Sequence, residues 1–73
     1  MEKARVQVRQ KVANTNWDDC PIIMDFTIEN LPKNYIERNE KINKIIEPLA
    51  DVYESQLRWN YYNSFQGNYV GKA

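Results

Sequence analysis

The chain has 73 residues, of which 42% are hydrophobic and 27% charged, and its ten basic and ten acidic side chains cancel. A chain of this length forms one small domain, and the composition is too apolar for a disordered segment. The balance of charge excludes a whole-molecule field that would draw the protein to nucleic acid or to an anionic membrane. We therefore expect a single domain over residues 1–73.

The composition lacks the residues of the commonest catalytic and metal sites. There is no histidine, and Cys20 is the single cysteine, which removes the usual metal ligands and the usual proton shuttle at neutral pH. The only glycines, Gly67 and Gly71, lie too near the C-terminus for a phosphate-binding loop. Asp18 and Asp19 are interpreted as part of a solvated turn. We expect no enzymatic activity, no cofactor and no metal site.

The N-terminal residues and the hydropathy pattern bear on location. No apolar stretch follows residues 1–5, and the longest aliphatic run, Ile22–Met24, is far too short to span a membrane. With no disulfide to form, these features favour the cytoplasm and no membrane contact. Frequent Asn, Ile, Lys and Tyr are typical of AT-rich coding DNA, as in low-GC bacteria, their phages and plasmids.

Two alternating segments predict an antiparallel β-hairpin. The first strand is expected at 3–13 and the second at 22–29, separated by a stretch rich in turn-forming residues. In the first strand the apolar row is Ala4, Val6, Val8 and Val12, and the basic row includes Lys3, Arg5, Arg9 and Lys11. One register satisfies both faces: Val12 opposite Ile22, Val8 opposite Phe26, Arg9 opposite Asp25 and Arg5 opposite Glu29.

The C-terminal half predicts helix. Asn34 stands three residues before Glu37, which is the spacing of an N-cap and its acidic partner, and apolar residues then recur at helical intervals over 34–47. Pro48 either kinks one long helix or separates two consecutive ones. The second helical segment is expected at 48–66 with Gly67 as its C-cap, followed by a tail at 67–73 that could hold a short strand. The expected fold is therefore α+β, with a hairpin packed on one or two helices, ββα(α).

The end of the second predicted helix is aromatic on nearly every side, because Trp59, Tyr62 and Phe65 surround it. Three interpretations are open. The tail covers these rings as core, or they form a surface that binds another protein or a second copy in a homodimer, or they stack on unpaired bases. For the protein-binding surface, Arg58 and Tyr69 complete the set of candidate residues.

The basic row of the first strand gives a separate candidate site. Lys3, Arg5, Arg9 and Lys11 could follow a phosphate backbone, although the acidic side chains of the second strand would neutralise two of them. The leading hypothesis is a small non-enzymatic protein-binding protein, such as a phage-encoded modulator or inhibitor of a host protein. The alternatives are a small nucleic-acid-binding regulator that uses this basic face and a small structural or assembly protein.

Overall fold

The computed structural model describes residues 2–71 as one antiparallel sheet with an α-helix packed on it. In chain order the elements are strand β1 (Glu2–Gln10), a 3-10 turn (Trp17–Asp19), strand β2 (Ile22–Leu31), helix α1 (Tyr35–Tyr53), strand β3 (Leu57–Tyr61) and strand β4 (Asn68–Val70). The strand order is β2-β1-β3-β4, so β1 is central and β2 and β4 are the edges. Met1 and the last two residues of the predicted tail lie outside the described residues.

The fold is of the α+β class, but the expected ββα(α) arrangement is wrong. The helix predicted at 48–66 is helical only as far as Tyr53, and Leu57–Tyr61 instead form β3, which pairs with β1. Trp59 and Leu57 are fully buried on the helix side of the sheet. A strand here supplies backbone partners for an edge of β1 that a two-stranded hairpin would leave unpaired. The topology is therefore ββαββ, with α1 between the second and third strands.

Strands β1 and β2 pair antiparallel, but two residues away from the predicted register. The pairs include Val6 with Phe26, Gln7 with Asp25 and Val8 with Met24, whereas Val12 lies beyond the end of β1. Arg5 is opposite Thr27 and reaches diagonally to Asp25, so the expected pairing of Asp25 with Arg9 is wrong. Long side chains bridge such diagonal neighbours. The register predicted by placing opposite charges directly across from each other is therefore wrong, because Arg5 and Asp25 pair diagonally.

Helix α1 begins at the predicted N-cap and continues through Pro48. The side chain of Asn34 accepts a hydrogen bond from the Glu37 backbone N–H at 3.0 Å, which confirms the predicted cap. Pro48 cannot donate to the carbonyl of Lys44, but both residues are exposed, so water can satisfy that carbonyl. The helix ends at Tyr53, and Glu54 caps it with a left-handed φ of 51° that lets its N–H reach the carbonyls of Ala50 and Asp51. The prediction that Gly67 caps a helix is wrong.

The core lies between α1 and one face of the sheet. Its fully buried side chains are Val6, Val8, Leu31, Ile42, Ile46, Leu57 and Trp59, with Ala50 and Val70 nearly so. The indole N–H of Trp59 donates to the side-chain oxygen of Asn43 at 2.7 Å, which satisfies the one polar atom of that ring. Because α1 covers only this face, no α-helix within residues 2–71 lies over the opposite face of the sheet.

Candidate functional site

The sheet face opposite α1, called the open face below, collects most of the polar and aromatic side chains that the core does not use. Successive side chains of a strand alternate between the two faces, so neighbours of buried Val6, Val8 and Trp59 point away from the helix. The open face comprises Arg5, Gln7, Arg9, Asp25, Thr27, Arg58, Asn60 and Tyr69. The loop 11–21 borders it at one end and the loop 62–67 at the other.

Arg58 connects the two bordering loops. Its Nη1 donates to the Asp18 carboxylate at 3.3 Å, and its Nη2 donates to the backbone carbonyl of Phe65 at 2.9 Å. Arg58 is only 9% exposed, whereas Asp18 is largely exposed, so this ion pair is buried on one side only. The backbone of Gly67 lies directly against the Arg58 side chain. The guanidinium thus fixes the distance between the loops.

Asn60 holds the loop 62–67 from beneath. Its side-chain amide donates to the carbonyls of Tyr61 at 3.0 Å and Ser64 at 3.2 Å, and the residue is only 7% exposed. With Arg58 bound to the Phe65 carbonyl, two buried side chains fix the backbone of this loop. The Phe65 ring is nevertheless 94% exposed. The fold therefore presents an aromatic side chain to solvent on a well-anchored backbone.

Arg5 lies between an aromatic ring and a carboxylate. Its guanidinium carbon is 3.9 Å from the centre of the Tyr62 ring, and it donates two hydrogen bonds of 2.8 Å to Asp25. Gln7 adds a third hydrogen bond to Asp25 at 3.2 Å. The hydrogen bonds from Arg5, and then that from Gln7, lower the pKa of Asp25 to about 2, and the bond to Asp25 raises the pKa of Arg5. Asp25 therefore stays ionised at neutral pH.

The loop 11–21 carries the other aromatic part of the open face. Trp17 meets Tyr69 edge to face with ring centres 5.6 Å apart, and the Lys11 ammonium is 5.3 Å from the Trp17 ring centre. Arg9 donates from Nη1 to the carbonyls of Asp18 and Cys20, at 3.2 Å and 2.8 Å. This loop is consequently attached to both β1 and β4.

Between the loops lies a groove of about 430 Å³. Gln7, Arg9, Arg58 and Asn60 form its floor, and Asp18 together with the segment Tyr62–Phe65 forms its sides. Most of the floor donors already bind protein oxygens, so the groove is polar but largely satisfied. Within residues 2–71 no three acidic or cysteine side chains come together as a metal site. The groove can accept a side chain or a short segment of a partner.

The structure joins the two candidate sites that the sequence analysis kept apart. Most members of both sets lie on the open face or its rim: Arg58, Tyr62, Phe65 and Tyr69 from one, and Arg5, Arg9 and Lys11 from the other. Lys3 lies at the far end of β1, beside Glu29 and Asn30. Trp59 is in the core and is not available to a partner.

The sequence analysis did not single out Asn60, Asp18 or Trp17 as site residues. The signal for Asn60 was its position between Trp59 and Tyr61, because a polar residue between aromatic ones is typical of a strand with one covered face. Asp18 and Trp17 lie in a loop, and no local pattern indicated that this loop reaches β3 and β4.

Comparisons with known proteins give no family for this chain. No family model, no curated protein and no solved structure matches it. Within the described part of the chain, no helix combines the length and the apolar character required to cross a membrane. Function has to be inferred from the open face itself.

Proposed function

We propose that this protein is a small non-enzymatic binding domain that docks its open face on another protein, with Phe65 as the anchor. The observation that carries the proposal is the 94% exposure of Phe65 on a loop held by Arg58 and Asn60. An exposed phenylalanine contributes little to folding, but an aromatic side chain on an ordered backbone loses little entropy when a partner covers it. Aromatic residues and arginine are the commonest anchors of protein interfaces.

The charges of the open face favour a protein over nucleic acid. Arg5 is paired with Asp25 and Arg58 with Asp18, while Arg9 donates to backbone carbonyls. Nucleic-acid affinity comes mainly from cations free to neutralise phosphates, and these arginines already have partners within the protein. A domain that acts by covering its partner's surface would suit a small inhibitor or modulator, and the composition agrees with a phage or mobile-element origin for it.

Single-stranded nucleic acid is the second candidate. It is favoured by one observation, that the stacked pair of Arg5 and Tyr62, the exposed Phe65 and the cation Lys11 share the open face. Aromatic rings beside cations are the usual arrangement for stacking on unpaired bases. Binding of this kind would weaken steeply as salt concentration rises.

The test compares the immobilised protein with three variants in a lysate of the cells that encode it. Phe65→Ala and Tyr62→Ala remove open-face rings, while Val52→Ala removes another exposed apolar side chain, from α1, where Val52 is 75% exposed. We expect one host protein to be captured by the wild type and Val52→Ala, and Phe65→Ala to weaken its affinity by about 30-fold or more, as for an interface anchor.

Circular dichroism should first show that all variants are folded. Equal capture by the wild type and Phe65→Ala would contradict the proposal. Capture that nuclease treatment abolishes would favour the second candidate, and binding of the purified protein to a single-stranded oligonucleotide at increasing salt would then measure it directly.

A further inference from the structure

Strand β2 is an edge of the sheet with a regular central segment at residues 24–28. The strand is ten residues long, Ile22–Leu31, and contains no lysine, arginine or proline. Its pairing with β1 shifts register on either side of this segment, and at each shift the extra residue lies on β2, at Ile23 and at residues 29–30. The other edge, β4, has three residues, with the Trp17 ring packed against its Tyr69. Natural edge strands are generally short, or interrupted by proline or by bulges, or guarded by lysine, because a long free edge pairs with another strand. Residues 24–28 of β2 have none of these interruptions, so this segment can take a partner strand.

Apolar side chains next to this edge are incompletely covered. Helix α1 is attached to β2 near its own N-terminal half, where Lys41 Nζ donates to the Asn30 carbonyl at 3.2 Å, and its last turns pack near β4 instead. On the same side of α1 as Lys41, Ile45 is 40% exposed. Met24, Phe26 and Ile28 of β2 are only half-buried. A strand added beside β2 would find apolar cover on the helix side.

We propose that two copies of the chain pair antiparallel through β2, in a register centred on Phe26. The apolar row of β2 is symmetric about this residue, so Phe26 meets its own copy and Met24 meets Ile28 of the second copy. Such self-complementarity is what a twofold interface requires, and it identifies a second copy rather than an unrelated strand as the occupant.

Charge selects this register over its neighbours. In an antiparallel pair, residues directly opposite each other lie on the same face of the sheet. The register can therefore change only by two residues at a time, which keeps apolar side chains opposite apolar ones. A register centred on Asp25 would place that carboxylate opposite its own copy, and one centred on Thr27 would place Asp25 opposite Glu29. With Phe26 at the centre, Asp25 lies opposite Thr27 of the second copy, and no carboxylate faces another directly.

The proposed dimer has one continuous eight-stranded sheet. Since directly opposite residues lie on the same face, the two helices lie on one side and the two open faces lie together on the other. The inference does not depend on what the open face binds, because β2 and the loop 62–67 lie at different parts of the sheet.

Opposite charges introduced at Thr27 test both the edge and the register. Thr27→Glu places a carboxylate opposite Asp25 of the second copy twice per dimer, whereas Thr27→Lys places a cation there. Within one copy Thr27 lies opposite Arg5, so glutamate there stabilises and lysine destabilises the fold of each copy. These effects on the fold are the reverse of the effects expected on dimer formation. Gln66→Glu, on the distant loop 62–67, is the control for added charge.

Sedimentation equilibrium of the full chain across about 1 μM to 1 mM measures the dimer dissociation constant. We expect the wild type, Gln66→Glu and Thr27→Lys to form dimers, and Thr27→Glu to raise the dissociation constant by about tenfold. A wild type that remains monomeric over this range would overturn the proposal. So would a dimer that Thr27→Glu and Thr27→Lys affect equally, because that result excludes the Phe26-centred register.

Discussion

The side chain of Arg58 lies directly against the backbone of Gly67, with no room for a side chain between them. A Cβ atom at position 67 would come within 2.8 Å of Arg58 Cδ and 2.9 Å of its Cζ. Asp18 and the Phe65 carbonyl hold the guanidinium from two directions, so Arg58 cannot easily move aside. Gly67 is not among the residues with positive φ, so close packing rather than turn geometry requires glycine here.

Gly67→Ala is therefore expected to destabilise the fold. The added methyl group must displace Arg58 or the loop, and overpacking of this kind costs about 1–3 kcal/mol. Urea unfolding monitored by tryptophan fluorescence would measure the loss. Gln66→Ala changes an exposed neighbour and should leave the free energy of unfolding within about 0.5 kcal/mol of the wild type. Equal stability of the two variants would contradict the packing described for Arg58.

Asp25 should give the protein a defined acid sensitivity. Its pKa is about 2 in the fold against an ordinary value of 3.8, chiefly because Arg5 donates two hydrogen bonds to it. A carboxyl whose pKa is lowered by folding stabilises the fold above its unfolded pKa, and that contribution disappears as the pH falls through the folded pKa. The difference in unfolding free energy between wild type and Asp25→Asn should thus be constant above pH 3.8 and shrink towards pH 2.

The same carboxyl can be followed directly by NMR titration. Arg5→Gln removes the cation and both of its hydrogen bonds, so we expect the pKa of Asp25 to rise towards 3.8. Lys44→Gln removes a cation from the exposed side of α1 and serves as the matched control, with no effect on Asp25. A wild-type Asp25 that titrates near 3.8 would show that the Arg5 contact does not persist in solution.

Local sequence patterns predicted the first strand pair and the start of α1 but failed after Tyr53. Leu57, Trp59 and Tyr61 alternate with polar residues over only five positions, a stretch short enough to fit a helical stripe as well. What selects the strand is pairing with β1, some fifty residues earlier in the chain, and this contact leaves no mark on the local pattern. A helix over 48–66 would be surrounded at its end by Trp59, Tyr62 and Phe65, more aromatic side chains than a hairpin can cover. This mismatch was the sign in the sequence that the predicted helix was wrong there.

The residue types of the candidate site could likewise be predicted from the sequence, but their arrangement could not. The sequence marks Arg58, Tyr62 and Phe65 as candidate partner-binding residues and the basic row containing Arg5 and Arg9 as a separate candidate site. Their meeting on one face depends on β3 lying beside β1, and a helix over residues 57–61 does not bring them together. Residue types thus revealed the components of the site, and only the sheet order revealed that they belong together.

Replacing Trp59 tests whether this side chain belongs to the core or to the surface. Its indole N–H donates to Asn43 at 2.7 Å within the core, so Trp59→Phe leaves the Asn43 oxygen without that donor. We expect a loss of about 1–3 kcal/mol in unfolding free energy, whereas Trp17→Phe on the open face should cost much less. A double-mutant cycle with Asn43→Ala isolates the interaction, and strictly additive effects would contradict a direct bond between the two side chains.

Pro48 tests how far α1 depends on its own backbone. The helix continues through Pro48, and buried residues Ile46 and Ala50 on either side keep helical spacing, so their core contacts do not require the proline. Pro48→Ala restores the missing N–H to the Lys44 carbonyl, and we expect it to raise the unfolding free energy by about 1–3 kcal/mol. Lys44→Ala, one turn earlier on the same exposed side, should change it by less than about 0.5 kcal/mol. A lower unfolding free energy for Pro48→Ala would contradict this expectation. It would show that a bend at the proline is needed to place Ala50 and the last turns of α1 near β4.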